Sequence, residues 1–237
     1  MIYEDFFGLE RPPFSLSPDP RSLYLTEQHR EALAHLLYGV QGGGGFVLLT
    51  GEIGTGKTTV CRSLLEQLPG KVDVALLLNP KLSITELLQS ICAEFGIPSR
   101  IFEGANRRRL VAIIYKYLLR LHSQGRSAVL IVDEAQNLSR DALEYLRLLT
   151  NLETSDKKLL QIILIGQPEL KAVVNSPGLE QMAQRITARF HLRSLAKSEM
   201  PGYIGHRLNV AGAGQMLFDD AAVNEVWRFS GEHFGGC

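Results

Sequence analysis

The sequence predicts an α/β protein: a parallel five-stranded sheet between two layers of helices, followed by a partial C-terminal helical lid. Three observations carry this expectation. Apolar runs of strand length recur along the chain, from Phe46 to Thr50, Val72 to Leu78, Ala128 to Val132 and Leu159 to Ile165, and a fifth strand is expected near Thr187 to Leu192. They alternate with segments whose apolar residues fall three and four apart, the spacing of one helix face. The run from Ala128 to Val132 is continuous rather than alternating, which suits a strand covered on both faces.

The elements follow in order. Residues 1–25 hold Phe6, Phe7, Pro12, Pro13, Phe14, Pro18, Pro20 and Tyr24, too much apolar surface for a linker. They read as an extended N-terminal arm packed on the core, with the aromatic residues as packing residues. Thr26 is a candidate N-cap for a helix with Leu33, Leu36, Leu37 and Val40 on one face, ended by Gly42 to Gly45. After the first strand, Gly51 to Thr59 is a glycine-rich turn into a helix that runs to about Leu68, where Pro69-Gly70 stops it. The second strand ends at Asn79-Pro80, and Ser83-x-x-Glu86 forms a capping box for the next helix. Asn106 to Ser123 is a longer amphipathic helix. Ser139 starts a helix that follows the third strand. Gly166-Gln167-Pro168 closes the fourth strand, two short helices precede the fifth, and helices near 197–209 and 220–229 open the C-terminal region. The domain boundaries expected are 1–25 for the arm, 26–194 for the core and 195–237 for the partial lid.

Bulk properties exclude more than they assign. The chain has 237 residues, with 25 basic side chains balancing 25 acidic ones, so net charge gives no drive toward DNA or an anionic membrane. Three cysteines, Cys61, Cys92 and Cys237, match no zinc or disulfide spacing. Cys61 and Cys92 read as small core residues of a chain in a reducing compartment. The acidic start, MIYEDFFGLE, carries no signal-peptide pattern, and no apolar run approaches the ~18 residues of a membrane span. The expected location is the cytoplasm, including the cytosolic part of an inner-membrane protein.

The chemistry begins at GEIGTGKTT. The pattern G-x-x-x-x-G-K-[ST] is complete in Gly51, Gly56, Lys57 and Thr58, with Glu52, Ile53, Gly54, Thr55 and Thr59 completing the loop. Glycines allow the backbone N–H groups to turn inward as an anion nest, and the helix that follows adds the positive end of its dipole. Lys57 reaches the β- and γ-phosphates of a nucleotide, and Thr58 offers a hydroxyl to Mg²⁺. Asp133-Glu134 ends an apolar strand, at the sheet edge where ligands bind in open α/β folds. Asp133 is placed to hold Mg²⁺ through water, and Glu134 to orient and deprotonate an attacking water. Together these predict a Mg²⁺-dependent ATPase of the P-loop type, with ATP and Mg²⁺ as its ligands.

The pairing of the two motifs resembles the AAA+ ATPases. That resemblance implies roles for four further residues. Asn79 ends the second strand, where a polar residue bonds the catalytic glutamate, and Gln167 follows the fourth strand at the sensor position that touches the γ-phosphate or water. Arg185 and Arg189, in QMAQRITARF, lie where an arginine finger reaches a neighbouring subunit's ATP in a homo-oligomeric ring; the sequence does not choose between them. The segments FFGLERPPFSLSPDPRSLYLTEQHREALAHLLYGV, GGFVLLTGEIGTGKTTVCRSLLEQLP, VLIVDEAQNLSRDALEYLRLLTNLET and LLQIILIGQPEL look like the general secretion pathway protein A (ExeA-type) family, from Tyr3 to about Ser230. The resemblance implies energising the assembly of a secretion or pilus-type envelope system, with a partner in that system. The family's lid continues Phe-Ser-Gly-Gly-x-Pro-Arg-x-Ile-Asn, whereas here Phe229-Ser230-Gly231 leads to Glu232 and Cys237. The expectation is a lid cut short, with nucleotide closure and ring-dependent hydrolysis in question.

Two other readings compete. One is a nucleotide-switched DNA-binding module of the transposon target-selection type, whose members share G-Q-P-E-L; the neutral charge argues mildly against DNA. The other is a remnant that binds nucleotide without turnover. Arg107-Arg108-Arg109 reads as the solvated start of a helix, and the six histidines show no metal spacing and receive no chemistry.

Overall fold

Five strands pair in parallel in the order β2-β3-β4-β1-β5: β1 (Gly45–Gly51), β2 (Val72–Leu77), β3 (Ser127–Val132), β4 (Leu160–Gly166) and β5 (Ile186–Leu192). The computed structural model describes residues 2–15, 24–41, 44–78, 80–155 and 157–230. The order puts β4, fourth in the chain, between β1 and β3. In register, Thr50 pairs with Gly166 and Val132 with Leu164, so the C-terminal ends of β1, β3 and β4 lie side by side.

The two faces of the sheet bury alternate residues, as the pleat requires. Phe46, Leu48, Leu130, Val132, Ile162 and Leu164 face α4 (Ile84–Glu94), α6 (Arg107–Ser123) and α7 (Arg140–Leu149). Val47, Leu49, Val129, Ile131, Ile163 and Ile165 face α2 (Glu27–Gln41) and α3 (Lys57–Gln67). Each such side chain contributes about 1.5–3 kcal/mol on burial. Helix starts are fixed by their own side chains: Ser83 N–H donates to Glu86 at 2.8 Å, and the Ser83 hydroxyl accepts from Glu86 N. Asn106 accepts from Arg109 N at 3.0 Å, and Ser139 from Ala142 N at 3.2 Å. Short helices α8 (Glu169–Val174) and α9 (Glu180–Ala183) connect β4 to β5.

The arm departs from the expected extended form. Residues Ile2–Phe7 form a short helix, α1, closed by Gly8 at φ 65° and by Leu9 N–H donating to Glu4 O. Among its described residues the arm packs on the C-terminal helices and joins neither apolar face of the sheet. Leu9 shares a separate apolar cluster with Met200, Tyr203, Ile204 and Leu208 of α10 (Met200–Val210) and Val223 of α11 (Asp220–Ser230). Nor are all its aromatics packing residues: Phe6 is 80% exposed and its ring meets only the edge of Phe7 within the described residues. A six-residue helix has too little length to turn every aromatic inward. A second short helix, α5 (Ser99–Phe102), has no counterpart in the sequence expectation. Cys61 and Cys92 are buried as expected, and burial pushes their thiols up to about 12 and about 11. Among the described residues no helix is long and apolar enough to cross a membrane.

Candidate functional site

The loop from Gly51 to Thr59 wraps tightly at the end of β1. Gly54 and Gly56 have φ of 81° and 86°, conformations that favour glycine. A Cβ on Gly51 would lie 2.6 Å from the Thr55 hydroxyl and 2.7 Å from the Leu192 carbonyl, so the loop closes only around hydrogen. No side chain caps the start of α3 at Gly56. The N–H groups of its first turn therefore face outward as anion donors, aided by the helix dipole. Lys57 is buried within the loop, its ammonium donating to Gly51 O at 2.8 Å and Glu52 O at 2.7 Å. Burial lowers its pKa, against the opposing pull of Glu134, Asp133, Glu52 and Glu169. Ile53 is 74% exposed, and Thr58 and Thr59 stand at the accessible start of α3.

Asp133 follows β3 and is buried. Desolvation raises its pKa, while the N–H of Glu134 donates to its Oδ1 at 2.9 Å and Lys57 opposes the rise. A carboxylate so poorly solvated gains from a cation beside it. Thr58 and Asp133 supply hard oxygens that suit Mg²⁺. Among the described residues no three His, Cys, Asp or Glu side chains gather as a metal cage, so phosphate and water would complete such a site.

Glu134 is the one non-glycine residue among those described with positive φ, at 52°. Its carboxylate accepts from Gln136 Nε2 at 2.5 Å, and Gln136 Oε1 accepts from Gln167 N at 3.0 Å. The structure therefore gathers Lys57, Asp133, Glu134 and Gln167 at one sheet edge, with Gln167 between the loop and the carboxylates. Asn79 lies outside the described residues, as do Cys237 and the end of the lid.

The two arginines are not gathered there. Half-buried Arg185 donates to Arg147 O at 3.3 Å, to the Thr150 hydroxyl at 3.1 Å and to Asn151, covering the last turn of α7. Exposed Arg189, on edge strand β5, donates to Asn175 at 3.1 Å and to Ala183 O at 3.2 Å. Arg107 turns to its own fold, against Thr85 and over the Tyr145 ring.

Sequence reasoning missed three residues. Gln136 carried no signal beyond following Asp133-Glu134. His29, given no chemistry, sits with Nε2 2.9 Å from Thr55 O, against the back of the phosphate loop. Glu169, in the first turn of α8, adds a fourth carboxylate to the field at Lys57.

Residues 40–174 match the family described as AAA domain. The general secretion pathway protein A of Aeromonas hydrophila is 53% identical over 230 residues, which is 97% of this chain but 42% of that protein. The chain thus spans less than half of that relative's length. Among solved structures, the Aeropyrum pernix ORC1 protein in complex with DNA superposes with a TM-score of 0.68 at 18% identity, covering 95% of this chain and 60% of that one. The Aeropyrum pernix ORC2 protein, in ADPNP and ADP complexes, gives 0.65 at 19% identity over 85% and 56%. At such identities the structural likeness speaks for the fold.

Proposed function

The chain belongs to the AAA-domain family and carries its nucleotide-binding α/β fold; from that premise we propose that it binds ATP with Mg²⁺ and hydrolyses it. The observation that carries this reading is the strand order. It sets the Gly51–Thr59 loop and Asp133-Glu134 on either side of the β4 end, close enough for Lys57 to feel both carboxylates.

Each residue then has a chemical task. Backbone N–H groups of the loop and the start of α3 hold the phosphates, and the Lys57 ammonium leaves its two carbonyl partners to neutralise the β- and γ-oxygens. Thr58 and Asp133 hold Mg²⁺, which when bound supplies charge to the transferring phosphoryl group. Glu134 accepts the proton of the attacking water. Gln167, at the β4 end, orients the γ-phosphate or that water. In a homo-oligomer, Arg189 is read as the finger, since it is exposed on an edge strand, with bonds among the described residues only to Asn175 and Ala183 O at the surface, while Arg185 is half-buried against the end of α7.

The work this turnover drives is taken from the resemblance to the general secretion pathway protein A family, which implies assembly of a bacterial secretion or pilus-type envelope system; the relative at 53% identity, named for that pathway, supports the reading. The test is a pair of variants. Glu134→Gln keeps affinity for ATP and loses turnover by roughly 10²-fold or more. Lys57→Ala loses affinity for the triphosphate. Parental turnover in Glu134→Gln would sink the assignment of the base.

A further inference from the structure

We infer that Gln136 is the positioning residue of the hydrolytic base, tying Glu134 to the strand end that carries Gln167; this rests on the ATPase reading above. Residues two apart on a helix do not face each other. Here they do because Glu134 takes φ 52°, folding the chain back into a 3₁₀ turn over Ala135–Asn137. A left-handed backbone at a non-glycine residue costs about 1–2 kcal/mol, so surrounding contacts must hold it. Ala135 and Leu138, both buried, anchor the turn in the core. The Gln136 amide then uses both of its ends. Its Nε2 donates to Glu134 Oε2 at 2.5 Å, and its Oε1 accepts from Gln167 N at 3.0 Å.

Few side chains meet both demands. A carboxylate lacks the donor that Glu134 needs, and a lysine lacks the acceptor that Gln167 needs. The opposite wall is shaped for the amide as well: a Cβ on Gly166 would lie 2.5 Å from Gln136 Oε1 and 2.9 Å from Leu170 Cδ2. Gly166 therefore leaves the space that the Gln136 oxygen occupies. The half-buried Glu134 side chain is thus oriented not by its own turn alone but by β4, the strand between base and phosphate loop.

Steady-state turnover is measured for the parent chain, Gln136→Met and Gln136→Glu, with affinity for a fluorescent ATP analogue and thermal melting alongside. Gln136→Met keeps the side-chain length and removes both bonds. It is expected to retain analogue affinity and KM within about threefold and lose kcat roughly 10–100-fold, the penalty of a misplaced catalytic group. Gln136→Glu keeps an acceptor for Gln167 N but removes the donor to Glu134, so it is expected to lose kcat as Gln136→Met does while keeping analogue affinity. Parental kcat in Gln136→Met overturns the inference alone. Equal losses of kcat and affinity with a lower melting point in both variants overturn it in favour of a merely structural role. A parent that binds the analogue but turns over no ATP removes the hydrolytic reading, and this inference with it.

Discussion

His29 Nε2 lies 2.9 Å from the carbonyl oxygen of Thr55, across the turn that presents Lys57. A carbonyl only accepts, so Nε2 carries the proton and Nδ1 accepts from the Thr26 hydroxyl at 2.6 Å. Behind the loop there is no slack: a Cβ on Gly56 would sit 2.5 Å from Nε2. The imidazole is a buttress, holding the loop from the α2 side.

Removing the buttress should cost both stability and affinity. His29→Ala leaves the Thr55 carbonyl and the Thr26 hydroxyl without their partner, a loss of about 1–3 kcal/mol in thermal or denaturant unfolding. ATP affinity should fall with it, because the loop loses its backing. The pH dependence has a definite sign. Burial lowers the folded-state pKa of His29, against the Thr55 bond and the charge of Glu199. The unfolded chain then binds a proton more readily than the folded one. The contribution is fully present above the ordinary histidine value of 6.5 and is lost as pH falls below it, with a slope of at most about 1.4 kcal/mol per pH unit. His29→Gln should flatten that slope between pH 7.5 and 5.5; an unchanged slope would assign the acid sensitivity elsewhere.

Asp133 is expected to cost the ligand-free fold stability. Its pKa is raised mainly by desolvation and further by Glu134, so ionisation at neutral pH opposes folding. Asp133→Asn keeps the shape and removes the charge. It should melt higher than the parent at pH 7.5 without ligand, with the gain shrinking as pH falls toward the carboxylate range. The same variant should lose Mg²⁺-dependent turnover, the exchange of stability against function seen at many sites. A lower melting point would show that the Lys57 attraction outweighs desolvation.

Arg185 and Arg189 should separate by assay. Arg185→Ala strips the Thr150 hydroxyl and the Arg147 carbonyl of a charged donor, and should lower stability by about 1.5–3 kcal/mol in the isolated chain. Arg189→Ala, at an exposed position, should leave melting within about 0.5 kcal/mol. If Arg189 acts across a subunit boundary, its loss should reduce turnover only at protein concentrations where copies associate. Loss of turnover in Arg189→Ala at every concentration would remove the role in trans.

The contrast between these residues shows what a sequence can carry. The capping box of Ser83 and Glu86 is local, and both of its bonds are present in the structure. Strands β1, β3 and β4 were legible because burial on two faces writes continuous apolar runs such as Ile162 to Ile165. The strand order was not, since no local pattern says that β4 inserts between β1 and β3. Gln136 was invisible for a related reason. Its contacts arise from one left-handed residue and from a strand some thirty residues further on. Arg185 resembled a free cation because its acceptors belong to the end of α7, which only tertiary folding brings near. The arm misled through composition: prolines at 12 and 13 suggested extension, but they leave Ile2–Phe7 free to coil into a helix.

Arg207 offers the sharpest test of how that arm is held. It is 3% exposed in α10, yet it points its guanidinium at backbone carbonyls far away in sequence, donating from Nε to Pro13 O at 2.6 Å and from Nη2 to Ser15 O at 3.1 Å. Neither carbonyl lies in a helix or strand, so the side chain supplies what secondary structure does not. Nearby, Glu10 N–H donates to Ala211 O at 2.8 Å and the Phe14 ring meets Phe218 edge-on at 6.2 Å. Arg207→Met keeps most of the apolar stem that packs in α10 but removes the donors. The arm should then loosen while the sheet, whose two apolar faces do not include it, stays folded. Hydrogen exchange at the Glu10 amide reads this directly, because that amide is protected only while the arm lies on Ala211. The expected loss is about 1.5–3 kcal/mol of protection, with the amides of β1 and β4 unchanged. Equal acceleration across the sheet would mean instead that arm, C-terminal helices and core unfold as one unit.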